Sequence, residues 1–451
     1  MGVLAVYGVP DASTYLYYGL HNLQHRGQEG GGIATFDENG VSHRYRGMGL
    51  LNEVFNNGQV GKLKGSLGIG CVKYANASRA GLDNVGPFFF RHCTGDFAVA
   101  SDGNLVNSKQ IAEFLEKRGT IFQTDTDAEL LAHLIKKNSS EDRIQNIVKA
   151  LNMMEGGFTF VIMTKNRIYA CRDKYGIKPL CIGRIGDGYV VSSESCAFGI
   201  MGAEFVRDVR PGEIVSLDRH GIRSTIFSKY CRHRMCGMEY IYFARPDSDI
   251  DGCNVHAYRK EAGRRLYREC PVEADIVVGV PESSLSAAMG YAEESGIPYE
   301  MGLVKHKYVG RTFIEPVQSM RELGVKMKLS PVYSIVKGKR IVLVDDSIVR
   351  GTTSLKIVKL LREAGATEVH VRIASPMMRF TCHYGVDTST PEELLCSHRT
   401  LEEARQAIGA DSLGYLSPES TRASAFGCAD PCQACFTGEY PTLLYDEEIN
   451  D

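Results

Sequence analysis

The run I-V-L-V-D-D-S-I-V-R-G-T-T-S, residues 341–354, constrains the fold more than any other stretch, because a buried strand passes directly into a loop and then a helix. Residues 341–344 are apolar without alternation, the pattern of a parallel strand covered on both faces. Asp345 and Asp346 then fall at its carboxyl end, where open α/β sheets bind ligands. Two carboxylates there can accept hydrogen bonds from both hydroxyls of a ribose diol, and they favour positive charge on the sugar. Ser347, Thr352 and Thr353 supply hydroxyls, and Gly351 permits close backbone approach, so main-chain N–H groups can wrap a phosphate. Ser354 is expected to cap the following helix, L-K-I-V-K-L-L-R-E-A, which stops at Gly365 and points its positive end at the same anion. An ordinary strand-to-helix loop with an acidic pair for solubility or a metal is the plainer alternative. Two acids, three hydroxyls and a glycine in one strand-loop-helix unit weigh against it, and no Walker pattern occurs in the chain.

At 451 residues the chain is long for one core and suggests two domains or slightly more. A net charge of -2 gives no basic field for nucleic acid, and no stretch is long and apolar enough to span a bilayer, so a small-molecule partner is expected. The start M-G-V-L-A-V-Y-G-V lacks a basic signal-peptide region, which implies a cytoplasmic protein. Fourteen cysteines in so large a chain are too dilute for a disulfide scaffold and should be thiols or metal ligands.

The order of elements divides the chain. To about residue 230 short strands with glycine turns are interrupted by helical spacing at 14–24 and 127–137, an α+β pattern. From about 255 to 375 strand and helix alternate: A-D-I-V-V-G-V, an Ala-rich helix from Ser284, R-I-V-L-V, a helix, and E-V-H-V-R-I-A, a parallel sheet with crossover helices. Beyond 390 the chain reads as polar and helical up to P-C-Q-A-C-F-T-G, whose C-x-x-C spacing by itself suits zinc, iron-sulfur or redox chemistry.

The opening run resembles the phosphoribosyl pyrophosphate loop of type I phosphoribosyltransferases. With L-Q-H-R-G-Q-E at 23–29, D-G-N-L-V-N at 102–107, G-A-E-F-V-R-D-V-R-P-G-E at 202–213, E-Y-I-Y-F-A-R-P-D-S at 239–248 and K-Y-V-G-R-T-F-I at 307–314, the whole chain resembles the glutamine phosphoribosylpyrophosphate amidotransferases. The resemblance implies an Ntn-hydrolase-like αββα glutaminase domain (1–235), a type I phosphoribosyltransferase domain with a parallel sheet (236–390) and a C-terminal helical segment with iron-sulfur ligands (391–451). It implies an enzyme of purine nucleotide biosynthesis, a glycosyltransferase. A homotetramer inhibited by purine nucleotides is the family precedent.

The implied glutaminase site is degenerate. The family nucleophile is an N-terminal cysteine, but Met1 precedes G-V-L-A-V-Y-G, and removal of Met1 would leave Gly2. The family segment G-H-V-R-Y-S-T reads G-C-V-K-Y-A-N, placing Cys71 where histidine is usual and Lys73 where arginine would clamp the glutamine carboxylate. H-N-G-N reads Ser101-Asp102-Gly103-Asn104, so an oxyanion-hole amide has become a carboxylate, expected to cost about 2.7–4 kcal/mol of transition-state stabilisation and to add repulsion. Arg26 and Asp127 remain at family positions, where a structural role explains them. Cys71 has no evident base beside it and reads as a buried thiol.

The implied transferase site is better kept. Asp345 and Asp346 would hold the ribose and, with pyrophosphate, Mg2+. Ser347, Arg350, Gly351, Thr352, Thr353 and Ser354 would cradle the 5'-phosphate. Lys305, Lys307, Tyr308, Arg311 and Thr312 resemble the family's mobile flap, with Arg321 and Lys328 as further charge. The pyrophosphate loop departs from V-P-D-S-G: Ser283 is kept, but Glu282 is one methylene longer than aspartate and Ser284 puts a Cβ where glycine admits phosphate oxygens. Cys236, Cys382, Cys432 and Cys435 match the family's iron-sulfur ligands and imply a structural 4Fe-4S cluster, with zinc or an empty site as the alternative; Cys231, Cys253 and Cys428 read as ordinary thiols.

The expected activity is formation of 5-phosphoribosylamine and pyrophosphate from phosphoribosyl pyrophosphate and ammonia, free or delivered by a glutaminase or amidotransferase partner, without glutaminase activity. The alternatives are transfer to another amine and a non-catalytic regulatory subunit that binds phosphoribosyl pyrophosphate or nucleotides.

Overall fold

The computed structural model describes residues 1–74, 81–137, 142–306, 329–386, 388, 390–427 and 430–445. In the N-terminal half two antiparallel sheets face one another. The first has seven strands in the order Glu204–Asp208, Cys181–Ile185, Gly188–Ser192, Gly2–Tyr7, Leu67–Lys73, Gly30–Phe36, Ser42–Met48. The second has six, in the order Gly221–Ile226, Glu213–Asp218, Arg167–Arg172, Gly156–Thr164, Phe97–Leu105, Phe88–Phe90. Alternation along each strand feeds two layers at once: Val3 and Ala5 enter the core between the sheets, while Leu4 and Val6 pack beneath the helix Ala12–Asn22. The second sheet is covered in the same way by Ser108–Glu116, Asp127–Lys137 and Arg143–Asn152. The result is the expected α/β/β/α layering, and because both faces of the inner strands are buried, they read as continuous apolar runs.

The C-terminal half carries a parallel sheet in the order Ile276–Gly279, Arg340–Asp345, Glu368–Ile373, Ser412–Tyr415. The first three strands and the helices Leu285–Ser295 and Thr352–Glu363 follow the sequence reading. Ser412–Tyr415 does not; where a polar helical tail was expected, Leu401–Ile408 is indeed helical, but P-E-E forms only a 3-10 turn and S-L-G-Y pairs in parallel with Glu368–Ile373. Four residues containing one glycine and one strongly apolar side chain carry no strand signal, so pairing with the sheet creates this strand. The sheet thus runs past residue 390.

Pairing of Gly279 with Val344 sets the carboxyl ends of two strands side by side, so residues 280–284 and 345–351 form one rim. Among the described residues no helix is long and apolar enough to cross a membrane.

Candidate functional sites

At that rim Asp345 and Asp346 sit between two sets of hydroxyls. Ser284 Oγ donates to Asp345 Oδ1 at 2.8 Å, Ser347 Oγ donates to Asp346 Oδ1 at 2.7 Å, and Ser283 Oγ donates to Asp346 Oδ2. Burial raises the pKa of both carboxyls, and the neighbouring Asp346 raises that of Asp345 further, while the serine hydroxyls oppose the shift. The pair is therefore poised to welcome positive charge.

Three expectations about this rim change. Ser284 does not obstruct the loop: its side chain is fully buried and directed at the carboxylates rather than outward. Ser354 does not cap the helix, which begins at Thr352 with Gly351 as N-cap at φ +78°, while Ser354 is buried in the first turn. A Cβ on Gly351 would also stand 2.9 Å from Leu395, so glycine is required there on both counts. Arg350 turns away from the rim to Glu393, with N–O distances of 2.8 and 2.6 Å. Thr352 and Thr353 are exposed at the helix N-terminus. Exposed Glu282 has Lys305 4.0 Å away. Lys307, Tyr308, Arg311, Thr312, Arg321 and Lys328 lie outside the described residues.

The second candidate site opens between the two N-terminal sheets. Cys71 and Lys73, two apart on one strand and so on one face, line a cavity with Met1, Ser101, Gly103 and Asp127. Gly103 has φ +112°, and a Cβ there would stand 2.0 Å from the Gly157 carbonyl oxygen. Asp127 opens the helix Asp127–Lys137 and accepts from Leu105 N at 3.0 Å. Burial pushes the Cys71 thiol up to about 12, so it stays protonated, in accord with its reading as an ordinary buried thiol.

Asp102 is not where its expected repulsion requires. Its carboxylate turns out of the cavity, 3.1 Å from Arg26 Nη2, 3.4 Å from the Met1 α-amino group and 3.9 Å from Lys178 Nζ. Those cations, with the N-terminal amine contributing most, hold its pKa well below the usual carboxylate range against the opposing effect of burial. Arg26 is the hub. Its Nε donates to Met1 O at 2.9 Å, Nη1 to Glu194 at 2.7 Å and Glu239 at 2.8 Å, and Nη2 to Glu239 at 2.7 Å and Asp102 at 3.1 Å. All five guanidinium N–H groups are thereby used. Nothing local marks Glu194, Glu239 or Lys178 as partners of Arg26; their burial in the fold does.

The backbones of Cys236 and Cys432 pair in an isolated parallel β-bridge, with Cys432 N donating to Met235 O at 2.8 Å and Gly237 N donating to Cys432 O at 3.0 Å, and both thiols are free. Cys236 and Cys435 lie in one apolar cluster against which Cys382 and Cys432 pack, so the four predicted cysteines share one region of the fold. Burial pushes the thiols of Cys236, Cys432 and Cys435 up, Cys432 to about 12. Among the described residues no set of three or more His, Cys, Asp or Glu is spaced to hold a metal ion.

A layered amidotransferase-type domain joined to a phosphoribosyltransferase-type sheet is the class these features define. Accordingly, residues 84–199 match the family described as a glutamine amidotransferase domain, and residues 259–379 match the family described as a phosphoribosyl transferase domain. The chain is 51% identical to the amidophosphoribosyltransferase of Bacillus subtilis over 99% of its own length and 95% of the relative's. It is 48% identical to that of Staphylococcus aureus strain N315 over 100% of the chain and 92% of the relative. The solved glutamine phosphoribosylpyrophosphate amidotransferase from B. subtilis, complexed with ADP and GMP, superposes with a TM-score of 0.94 at 51% identity, covering 99% of this chain and 98% of that one. The chain belongs to the amidophosphoribosyltransferase family.

Proposed function

We propose that this chain makes 5-phosphoribosylamine and pyrophosphate from phosphoribosyl pyrophosphate and ammonia, in purine nucleotide biosynthesis, without hydrolysing glutamine. The observation that carries the second clause is the environment of residue 1. What supports this clause is that Met1 directly precedes the strand Gly2–Tyr7, where the family resemblance would put the nucleophile, and a thioether is no nucleophile for an amide. Its α-amino group is buried and paired to Asp102, and Arg26 has no N–H left for a substrate. Ammonia must then come from solution or from a partner protein.

At the rim, the C1–N bond forms as the C1–O bond to pyrophosphate breaks, and the ammonia nitrogen loses a proton to solvent. Asp345 and Asp346 face the sugar, holding its diol and offsetting the positive charge that develops on the ring. The N–H groups of residues 347–353 and the N-terminus of Thr352–Glu363 hold the 5'-phosphate. The two buried, mutually repelling carboxylates suit a divalent cation, and Mg2+ bound with pyrophosphate would neutralise leaving-group charge. Cys236, Cys382, Cys432 and Cys435, an all-thiol set in one apolar region, would be the ligands of a structural 4Fe-4S cluster joining the C-terminal segment to residue 236. Lys307, Tyr308, Arg311 and Thr312 would close over the substrate. We expect a homo-oligomer in the cytoplasm.

A second reading, a regulatory subunit that binds phosphoribosyl pyrophosphate without turning it over, is favoured by Glu282, whose carboxylate opposes Lys305 at the mouth of the site. Transfer to another amine is the third. Pyrophosphate release measured with ammonium, with glutamine and with a panel of amines separates them. Release with ammonium alone supports the proposal, no release with any donor supports the regulatory reading, and release with a different amine in preference to ammonium supports the third.

A further inference from the structure

Arg259 is a buried cation that neither site uses. It lies on the helix Val255–Glu269 at 4% exposure. Its Nε donates to Tyr240 O at 2.8 Å and its Nη2 to Ala244 O at 2.7 Å. Both partners are neutral, so the charge is balanced at longer range, by Asp346 first and then by Glu194. A buried guanidinium placed this way is costly to keep.

Its position links the two halves. Tyr240 lies within the π turn Glu239–Phe243 and Ala244 follows it as C-cap, and so short a helix needs outside donors for its carbonyls. Glu239, at the start of that turn, is the carboxylate that Arg26 grips with two bonds, 2.7 and 2.8 Å long. Tyr240 also stacks on Tyr258 with ring centroids 5.0 Å apart. Beyond Arg259 the path is stiff. The helix Val255–Glu269 meets Leu285–Ser295 backbone to backbone, since a Cβ on Gly263 would stand 1.9 Å from Ala287 O and one on Gly290 would stand 1.9 Å from Lys260 O. The second helix starts directly after Ser284, whose hydroxyl holds Asp345.

We infer that Arg259 is a positioning residue for the phosphoribosyl site: it locks the turn at 239–244 to the helix at 255–269, and so makes the placement of Asp345 and Asp346 depend on the Arg26–Glu239 contact in the other half. The inference rests on the proposal that this site turns over phosphoribosyl pyrophosphate. It gives the amidotransferase-type half a task that needs no nucleophile, that of a buttress for the transferase.

The test is a double-mutant cycle in the full-length protein with R259M, E239Q and the double variant, plus R259K. Pyrophosphate release is followed at saturating ammonium with phosphoribosyl pyrophosphate varied, so that kcat and KM are read separately, and thermal melting reports folding. Each single change is expected to lower kcat/KM about 5- to 150-fold. R259K recovers part of the loss because it keeps the charge and can reach one carbonyl. The double variant is no worse than R259M alone. Multiplying effects would overturn the inference, as would an R259M protein that melts earlier but keeps kcat and KM. If R259M does not fold, R259K and E239Q complete the same cycle with the same two outcomes. An inactive wild-type protein refutes the underlying proposal instead, so the two failures are distinct.

Discussion

Replacing Arg26 with methionine keeps most of the buried stem and deletes the charge at the centre of the N-terminal cluster. Three carboxylates, Asp102, Glu194 and Glu239, there face three cations, Arg26, Lys178 and the Met1 amine. Removing one partner of a buried ion pair costs about 3–5 kcal/mol because the other is left uncompensated. Glu194 keeps His25 and Ser248, each at 2.7 Å, and Arg245 N at 2.9 Å, so it loses only part of its support. Glu239 keeps only the more distant Lys178 charge, at 3.8 Å, and dominates the loss. The lower end, about 3 kcal/mol, is therefore expected, or roughly 6–12 °C in the melting of a domain of this size. The loss has a pH signature. Asp102 and Glu194 have folded pKa values held below their ordinary ones, so their stabilisation is complete above the unfolded carboxyl values, about 4, and fades as pH falls through the folded ones. Urea unfolding followed by circular dichroism should thus give a gap between wild type and variant that narrows below about pH 4. A gap under about 1 kcal/mol, or one indifferent to pH, would refute the reasoning.

Other expectations follow from the same geometry. Ser284→Gly, which moves the loop toward the family pattern, should lower ammonia-dependent turnover and cost about 1–3 kcal/mol in stability, because Asp345 Oδ1 loses its 2.8 Å donor; a faster S284G enzyme would restore the view of Ser284 as an obstruction. Asp346→Asn should reduce pyrophosphate release about 10²- to 10³-fold, read from initial rates, while the protein still melts cooperatively. Asp102→Asn, which restores the family's amide at that position, should produce no glutamate from glutamine, since the nucleophile is still missing; any glutamate formed above background would contradict the account of residue 1. For the proposed 4Fe-4S cluster, the protein should show iron-sulfur visible absorbance that chelation of iron, or Cys435→Ser, removes, with residues 430–445 loosened as measured by limited proteolysis.

What was legible in the sequence was local. The helix Asp127–Lys137 and the strand Arg340–Asp345 announce themselves by period and composition, and the two-carboxylate rim follows from the strand's end. What escaped was set by distant partners. Arg26 meets Asp102, Glu194 and Glu239 across 76, 168 and 213 residues, separations at which no pattern along the chain survives. The direction of the Asp102 carboxylate, which decides whether it repels an oxyanion or anchors an arginine, follows from that cluster alone. Ser284 was misjudged for a related reason: spacing fixes which residue occupies the loop, but only the neighbouring strand shows that its hydroxyl points inward. Ser412–Tyr415 owes its strand to pairing with Glu368–Ile373.

The most direct test sets glutamine against ammonium in one assay, with purified full-length protein, Mg2+ and phosphoribosyl pyrophosphate, and with pyrophosphate and glutamate measured together. The account predicts pyrophosphate release that rises with ammonium and stays at background with glutamine, with no glutamate formed. Equal rates with the two nitrogen donors, accompanied by stoichiometric glutamate, would contradict it.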